Sequence, residues 1–151
     1  MKQEFGVKEM WKIIAVGTFF LLLTGCGERR PPMTEVRGSV TFRGEPLHFG
    51  TVLLKPDDPE RKHIPTAKIQ EDGSFSFSVS RAQTEWEGAP LGEYSVSVLC
   101  YTSDAPDYVS KTGEDGELGK SLIPEKYQNP AASGLRVKVE RGMEPLKIVL
   151  D

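Results

Sequence analysis

Apolar and polar residues alternate along most of the chain after residue 35. In the segment 36–43, apolar residues or glycine occupy every even position, and polar residues occupy every odd position. A period of two is typical of a β-strand that buries one face. The pattern recurs further along, whereas no segment shows the 3.6-residue period of a long helix. Seven strands are predicted, over residues 36–43, 51–54, 66–70, 74–80, 93–100, 135–140 and 146–150.

Turn residues separate these segments. Asp72-Gly73 predicts a hairpin turn, because glycine readily adopts a positive φ. Pro56 and Pro59 end the second strand, since proline has no N–H for the interior of a sheet. Short strands with polar outer faces predict an all-β fold: a seven-stranded antiparallel β-sandwich of immunoglobulin-like architecture, forming a single domain over residues 35–151.

One long segment, residues 101–133, interrupts the succession of strands. A loop of this length in a compact domain is usually functional or mobile. Within it, residues 122–127 predict one helical turn with Pro124 near its start. We expect Leu122, Ile123 and Tyr127 to pack against the sandwich.

The N-terminal residues have the character of a leader. Lys2, Lys8 and Lys12 precede or border an apolar run of 11 residues, 13–23. A membrane-spanning helix needs roughly 20 residues, so this run is too short to span a bilayer. A weakly basic start followed by a short apolar run is typical of a secretory signal.

The residues that follow this run resemble the lipobox of bacterial lipoproteins, in the form Leu23-Thr24-Gly25-Cys26. The resemblance implies that residues 1–25 are a lipoprotein signal peptide, and that Cys26 is acylated and anchors the chain to a membrane. The alternative is an ordinary signal peptide followed by a chance cysteine. Residues 26–34 are then the lipidated cysteine and a tether, extended by Pro31-Pro32.

Glycine, and not aspartate, follows Cys26. By resemblance to the sorting rule of some double-membraned bacteria, Gly27 favours the outer membrane over the inner one. The expected location is therefore the periplasmic or cell-surface side of the envelope, reached by secretion across the inner membrane.

Composition narrows the range of functions. The 151 residues carry a net charge of -3, which gives no electrostatic footprint for nucleic acid. Two cysteines argue against a disulfide scaffold, and two histidines argue against a metal site built from several histidines. We therefore expect no cofactor and no metal.

Single reactive residues show no catalytic pattern. His48 and His63 lie in or beside turns and are expected to be exposed. Cys100 is expected to be a buried, unpaired thiol, although a nucleophile or an intermolecular disulfide remains an alternative. The acidic residues near 57–60 and 104–117 favour solvated loop charge over a calcium site, because the spacing of a calcium loop is missing. The sequence therefore predicts that the chain is not an enzyme.

A set of ordered landmarks resembles carboxypeptidase-regulatory-like domains, which are transthyretin-like (prealbumin-like) sandwiches. The landmarks are the segments 36–47, 50–52, 72–75 and 91–96. Tyr94, two residues after Gly92, is expected to bond its hydroxyl to a backbone group, as in a tyrosine corner. The resemblance carries no catalytic residue. Hydroxyisourate hydrolases of this fold end in Tyr-Arg-Gly-Ser, whereas this chain ends in Val149-Leu150-Asp151.

These observations favour a membrane-anchored, non-enzymatic structural or interaction module of the cell envelope. Its expected partners are the membrane, reached through the lipid anchor, and an envelope protein or glycan. The alternative is a carbohydrate- or peptide-binding module that uses the loop aromatics Trp86, Tyr101 and Tyr108, because aromatic rings stack on sugars. A hydrolase is the least favoured reading.

Overall fold

Short β-strands account for most of the regular structure in the computed structural model, which describes residues 31–81, 84–105 and 119–151. No α-helix occurs in these residues, so the all-β prediction is confirmed. The helical turns that the structure describes are too short to cross a membrane. The strands are β1 (Met33–Thr34), β2 (Arg37–Phe42), β3 (Glu45–Pro46), β4 (Thr51–Pro56), β5 (Thr66–Lys68), β6 (Ser74–Ser76), β7 (Ser78–Arg81), β8 (Thr84–Glu87), β9 (Ala89–Pro90), β10 (Gly92–Leu99), β11 (Arg136–Val139) and β12 (Leu146–Leu150).

Two larger sheets contain most of these strands. One has six strands in the order β11-β10-β4-β5-β7-β8; the other has the order β12-β2-β3, with β6 also paired to β2. The pairings are antiparallel, as predicted, except that β12 runs parallel to β2. This exception arises because the chain crosses from β11 in one sheet to β12 in the other, and a crossover permits parallel pairing.

The core lies between the two larger sheets. Val40 and Ile148 from the smaller sheet join Val52, Leu54 and Val96 from the six-stranded sheet in one apolar cluster, and each is at most 4% exposed. Burying a side chain of this size stabilises the folded state by about 1.5–3 kcal/mol. The predicted alternation is thus confirmed at these positions.

Residues 74–80 form two strands, where the sequence predicted one. β6 pairs with β2, whereas β7 pairs with β5 and β8, so the chain changes sheets at Phe77. The backbone N–H of Phe77 donates to the carbonyl of Val36 (3.0 Å), and its carbonyl accepts from the N–H of Gly88 (2.7 Å). Alternation continues across the change, since Phe75, Phe77 and Val79 are all buried. The hydrophobic pattern therefore gives no sign of it.

The first residues of the domain form a short strand that lies beside β9. β1 pairs with β9, and the N–H of Leu91 donates to the carbonyl of Pro32 (3.1 Å). Gly88 makes this approach possible, because a Cβ at that position would lie 2.1 Å from the carbonyl oxygen of Thr34. The compact unit accordingly begins at Pro31.

Strand β10 separates the two ends of the sandwich. Its eight residues span about 26 Å. We call the end next to Gly92 the N-terminal end; it comprises residues 31–34, 57–65 and 88–91. We call the opposite end the distal end; it comprises residues 48–50, 70–73 and 100–104. Asp57 marks the first end, since its N–H donates to the carbonyl of Glu93 (3.1 Å).

The predicted helical turn is present as a 3-10 helix over Glu125–Gln128 that follows Pro124. Ile123 and Tyr127 are buried, as expected. Leu122 does not pack as expected and is 41% exposed. Its N–H donates to the carbonyl of Cys100 (2.9 Å), and Ile123, and not Leu122, takes the inward position at this bend.

A pair of glycines tests the docking of the N-terminal segment. Gly88 and Gly44 have nearly equal φ values of 87° and 86°, but a Cβ on Gly44 would meet nothing within 4 Å. We expect Gly44→Ala to lower the free energy of unfolding by about 1–2 kcal/mol, the cost of a side chain in left-handed backbone. Gly88→Ala should lower it by about 1–3 kcal/mol more, because its Cβ also overlaps Thr34. Urea unfolding of residues 27–151 measures both, and equal losses would show that Gly88 needs only its backbone freedom.

Candidate functional site

An open groove of about 680 Å³ lies at the distal end of the sandwich. This volume falls within the range of small-molecule sites, roughly 300–1,000 Å³. Two apolar and five polar residues line it. They are His48, Phe49, Lys68, Ile69, Gln70, Glu71 and Asp104.

His48 has a fixed orientation in the groove. Its Nδ1 lies 2.5 Å from the carbonyl oxygen of Glu71. A carbonyl only accepts hydrogen bonds, so Nδ1 carries a proton and Nε2 is left to face the groove. The ring is exposed, as predicted, but it is also held by the neighbouring hairpin.

The hairpin that holds His48 is the predicted Asp72-Gly73 turn. The N–H of Gln70 donates to the carbonyl of Ser74 (2.8 Å), and the N–H of Gly73 donates to the carbonyl of Gln70 (2.9 Å). The carboxylate of Asp72 accepts a hydrogen bond from the N–H of Ser74 (2.9 Å). Hydrogen bonds from the side chain and the backbone of Ser74 lower the pKa of Asp72. One wall of the groove is therefore a well-bonded turn.

Asp104 forms the facing wall at the base of the long loop. Its carboxylate accepts from the N–H of Tyr101 (2.8 Å). The two arms of the loop meet where the N–H of Thr102 donates to the carbonyl of Lys120 (2.9 Å) and the N–H of Lys120 donates to the Thr102 hydroxyl (3.0 Å). The N–H of Gly119 also donates to the Ser103 hydroxyl (3.2 Å). Asp104 is thus positioned by the closure of the loop.

The three aromatic residues predicted to bind ligand do not form one site in the described residues. Tyr101 is half-buried and donates its hydroxyl to Oε1 of Gln128 (2.8 Å), so it ties the 3-10 helix to the end of β10. Trp86 lies within β8 and not in a loop. β4, β5 and β7 separate it from β10. Tyr108 lies outside the described residues.

Trp86 instead contacts His63 at the N-terminal end. Their ring centroids are 5.7 Å apart and the ring planes meet at 66°, an edge-to-face arrangement. His63 is half-buried against this ring, so the expectation of an exposed loop histidine is wrong for His63. The hydrophobic pattern could not predict this contact, because His63 lies in a loop and Trp86 lies in a strand further along the chain.

Two of the acidic residues near position 57, Asp57 and Asp58, belong to ion pairs. Asp57 accepts a hydrogen bond from the Ser95 hydroxyl (3.0 Å) and pairs with the guanidinium of Arg136. Asp58 pairs with Arg61 at 3.5 Å. Within the part of the chain that the structure describes, no three His, Cys, Asp or Glu side chains converge as metal ligands. These carboxylates thus stabilise the connection between β4 and its neighbours.

Cys100 lies just behind the distal end. It is fully buried and unpaired, as predicted for a core thiol, and a Cβ built on Gly50 would lie 3.3 Å from its Cβ. Burial, together with the nearby negative charge of Asp104, raises the pKa of the Cys100 thiol to about 11. A protonated thiol is a weak nucleophile, so this residue is poorly suited to catalysis.

The raised pKa of Cys100 predicts a pH dependence of stability. In the unfolded chain the thiol loses its proton near its ordinary pKa of 9.0, whereas in the folded chain it does so at about 11. Between these values the unfolded state binds fewer protons, so the free energy of unfolding must fall as pH rises. Urea unfolding of residues 27–151 at several pH values should show this slope in the wild type and a shallower one in Cys100→Ala. Equal slopes, or rapid alkylation of the native thiol at pH 8, would contradict the assignment.

The comparisons with known proteins returned no match. No family model matches the sequence, no curated protein is significantly similar to it, and no solved structure matches the fold.

Proposed function

We propose that the chain is an extracytoplasmic lipoprotein, anchored through acylated Cys26, whose β-sandwich is a non-enzymatic interaction module of the cell envelope. Residues 1–25 and Cys26 lie outside the described residues, so their role rests on the lipobox-like sequence. One structural observation carries the proposal further. The compact unit begins at Pro31, five residues after Cys26, and continues directly into β1 at one end of the sandwich. That geometry suits a domain held at a membrane by its N-terminus.

The module is proposed to be a transthyretin-like, carboxypeptidase-regulatory-like sandwich. Three landmarks of the resemblance have structural roles that support this assignment. Gly44 and Gly73 occupy turns with φ of 86° and 80°. Tyr94 is buried and donates its hydroxyl to the carbonyl of Pro90 (2.7 Å), the bond expected of a tyrosine corner, and burial raises its pKa. With Gly27 after the cysteine, the outer membrane is the proposed location.

The chemistry of the described residues favours binding over catalysis. The groove offers His48, Lys68 and two carboxylates, but its described lining contains neither a hydroxyl nor a thiol that could attack a substrate. Cys100 lies buried with a raised pKa. Nucleophilic catalysis needs an exposed, activated nucleophile beside a base.

A second candidate function is the binding of a short glycan or peptide, and the groove is the observation that favours it. Phe49 supplies apolar surface there, while Gln70, Asp104 and Nε2 of His48 supply hydrogen-bonding groups. Specific sites commonly combine apolar lining with a few well-placed polar groups. In this arrangement His48 and Phe49 take the ligand-binding role that the sequence assigned to Trp86. A role of Tyr108 in ligand binding remains a prediction.

Acylation is tested by comparing wild type with Cys26→Ala. We expect the wild-type protein to carry acyl mass and to sediment with membranes, and the variant to lose both. Intact-mass spectrometry and fractionation of the two membranes measure these outcomes, and Cys100→Ala is the matched control that should keep acyl mass and location. A wild-type protein without added mass would contradict the anchor. Affinity capture from gently solubilised membranes, wild type against Cys26→Ala, then identifies any anchored partner.

The groove is tested by calorimetric titration of residues 27–151 with a panel of envelope oligosaccharides and short peptides. For any ligand that binds, His48→Ala and Asp104→Asn should each weaken the affinity about tenfold, since a lost hydrogen bond to ligand is worth about 1–3 kcal/mol. Lys138→Ala, on exposed β11, should leave it unchanged. Undiminished affinity in both groove variants would assign binding to another surface.

A further inference from the structure

The N-terminal end of the sandwich is built around the point where the chain enters. The carbonyl of Pro32 accepts the N–H of Leu91 at 3.1 Å. The carbonyl of Leu91 in turn accepts a hydrogen bond from the guanidinium of Arg61. The entering segment is therefore joined by consecutive bonds to the loop 57–65.

That loop exposes an apolar side chain beside an aromatic one. Ile64 is 50% exposed, and its neighbour His63 packs against the ring of Trp86. Arg61 and Lys62 are also exposed there. An aliphatic side chain, a tryptophan and long cationic side chains form the combination found at membrane interfaces.

The charges of the loop 57–65 are nearly balanced. Asp58 pairs with Arg61, and Asp57 pairs with Arg136. The remaining charges of the loop, Glu60 and Lys62, have opposite signs. Net attraction to anionic lipid is thus small. The contact must depend on insertion of apolar groups, and it should be insensitive to salt.

The length of chain between Cys26 and the domain limits where this end can go. Five peptide steps from Cys26 to Pro31 span at most about 16–18 Å. The distal end lies about 26 Å further along β10. A tether this short creates a high effective concentration of the N-terminal end at the bilayer, so a weak contact is sufficient.

We propose that the N-terminal end is a phospholipid-docking surface, with Ile64 inserted among the headgroups and Trp86 at their border. The distal groove then faces away from the membrane. The docking surface rests on the proposed lipid anchor, and it adds the orientation of the anchored domain.

Tryptophan fluorescence tests the docking surface in the full, acylated protein. Trp86 is the sole tryptophan of the acylated protein, because the other tryptophan of the sequence, Trp11, lies in the proposed signal peptide over residues 1–25. The protein is reconstituted in phosphatidylethanolamine and phosphatidylglycerol vesicles with brominated or ordinary acyl chains. We expect bromine atoms placed near the headgroup end of the acyl chains to quench about half of the Trp86 fluorescence, because the ring lies at headgroup level. The quenching should be the same at low and at high salt.

Matched variants locate the contact. Ile64→Glu should relieve most of the quenching, while Ile64→Leu should preserve it. A reporter at the other end, Leu122→Trp with Trp86→Phe, should stay unquenched, because Leu122 is exposed next to the distal end. Val149→Glu, an exposed site on β12, should leave Trp86 quenched as in wild type.

The outcomes separate the two proposals. Acylated protein that floats with vesicles but keeps full Trp86 emission overturns the docking surface and leaves the anchor intact. Equal quenching of the Trp86 and Leu122→Trp reporters overturns the assigned orientation. Protein that carries no acyl mass and does not float overturns the anchor and the docking surface together.

Discussion

The architecture depends on how the backbone of Phe77 is satisfied. This buried residue donates its N–H to the carbonyl of Val36 and accepts the N–H of Gly88, so one bond extends the pairing of β6 with β2 and the other extends the pairing of β7 with β8. A buried backbone group without a partner costs free energy comparable to a lost hydrogen bond. The two bonds therefore hold together three segments at once: the approach to β2, the change of sheet between β6 and β7, and the turn after β8. The docking of residues 31–34 follows from the same junction, because Gly88 places the next residues beside Thr34.

The sequence predicted the fold class well because alternation reports burial directly. Val40, Val52, Val96 and Ile148 are buried as the period of two requires. The sequence did not predict the parallel pairing of β12 with β2, because the two strands lie far apart along the chain. The parallel partnership of β12 with β2 joins residues that alternation treats independently. Strands β1, β3 and β9 are only two residues long, too short for any period to be visible.

The candidate site was harder to predict than the core. A groove is made by residues from separate loops, here His48, Glu71 and Asp104, and their meeting is set by strand pairing. Aromatic residues drew attention because their chemistry is visible in the sequence alone. Tyr101, however, gives its hydroxyl to Gln128, and Trp86 packs on His63. A small clue was available for His48: it precedes Phe49-Gly50 at a strand end, near the level of the Asp72-Gly73 turn.

The parallel pairing of β2 with β12 also affects when the domain can fold. Leu146 pairs with Gly38, a separation of 146 − 38 = 108 residues, and Leu150 is fully buried in the core. Contacts between such distant residues carry a large entropic cost of loop closure, and they make folding slow. The smaller sheet cannot be completed until the last residues of the chain are available. For the proposed secreted protein, this delay would keep the chain unfolded, and therefore able to pass through a narrow secretion channel, until residues 146–150 have been made.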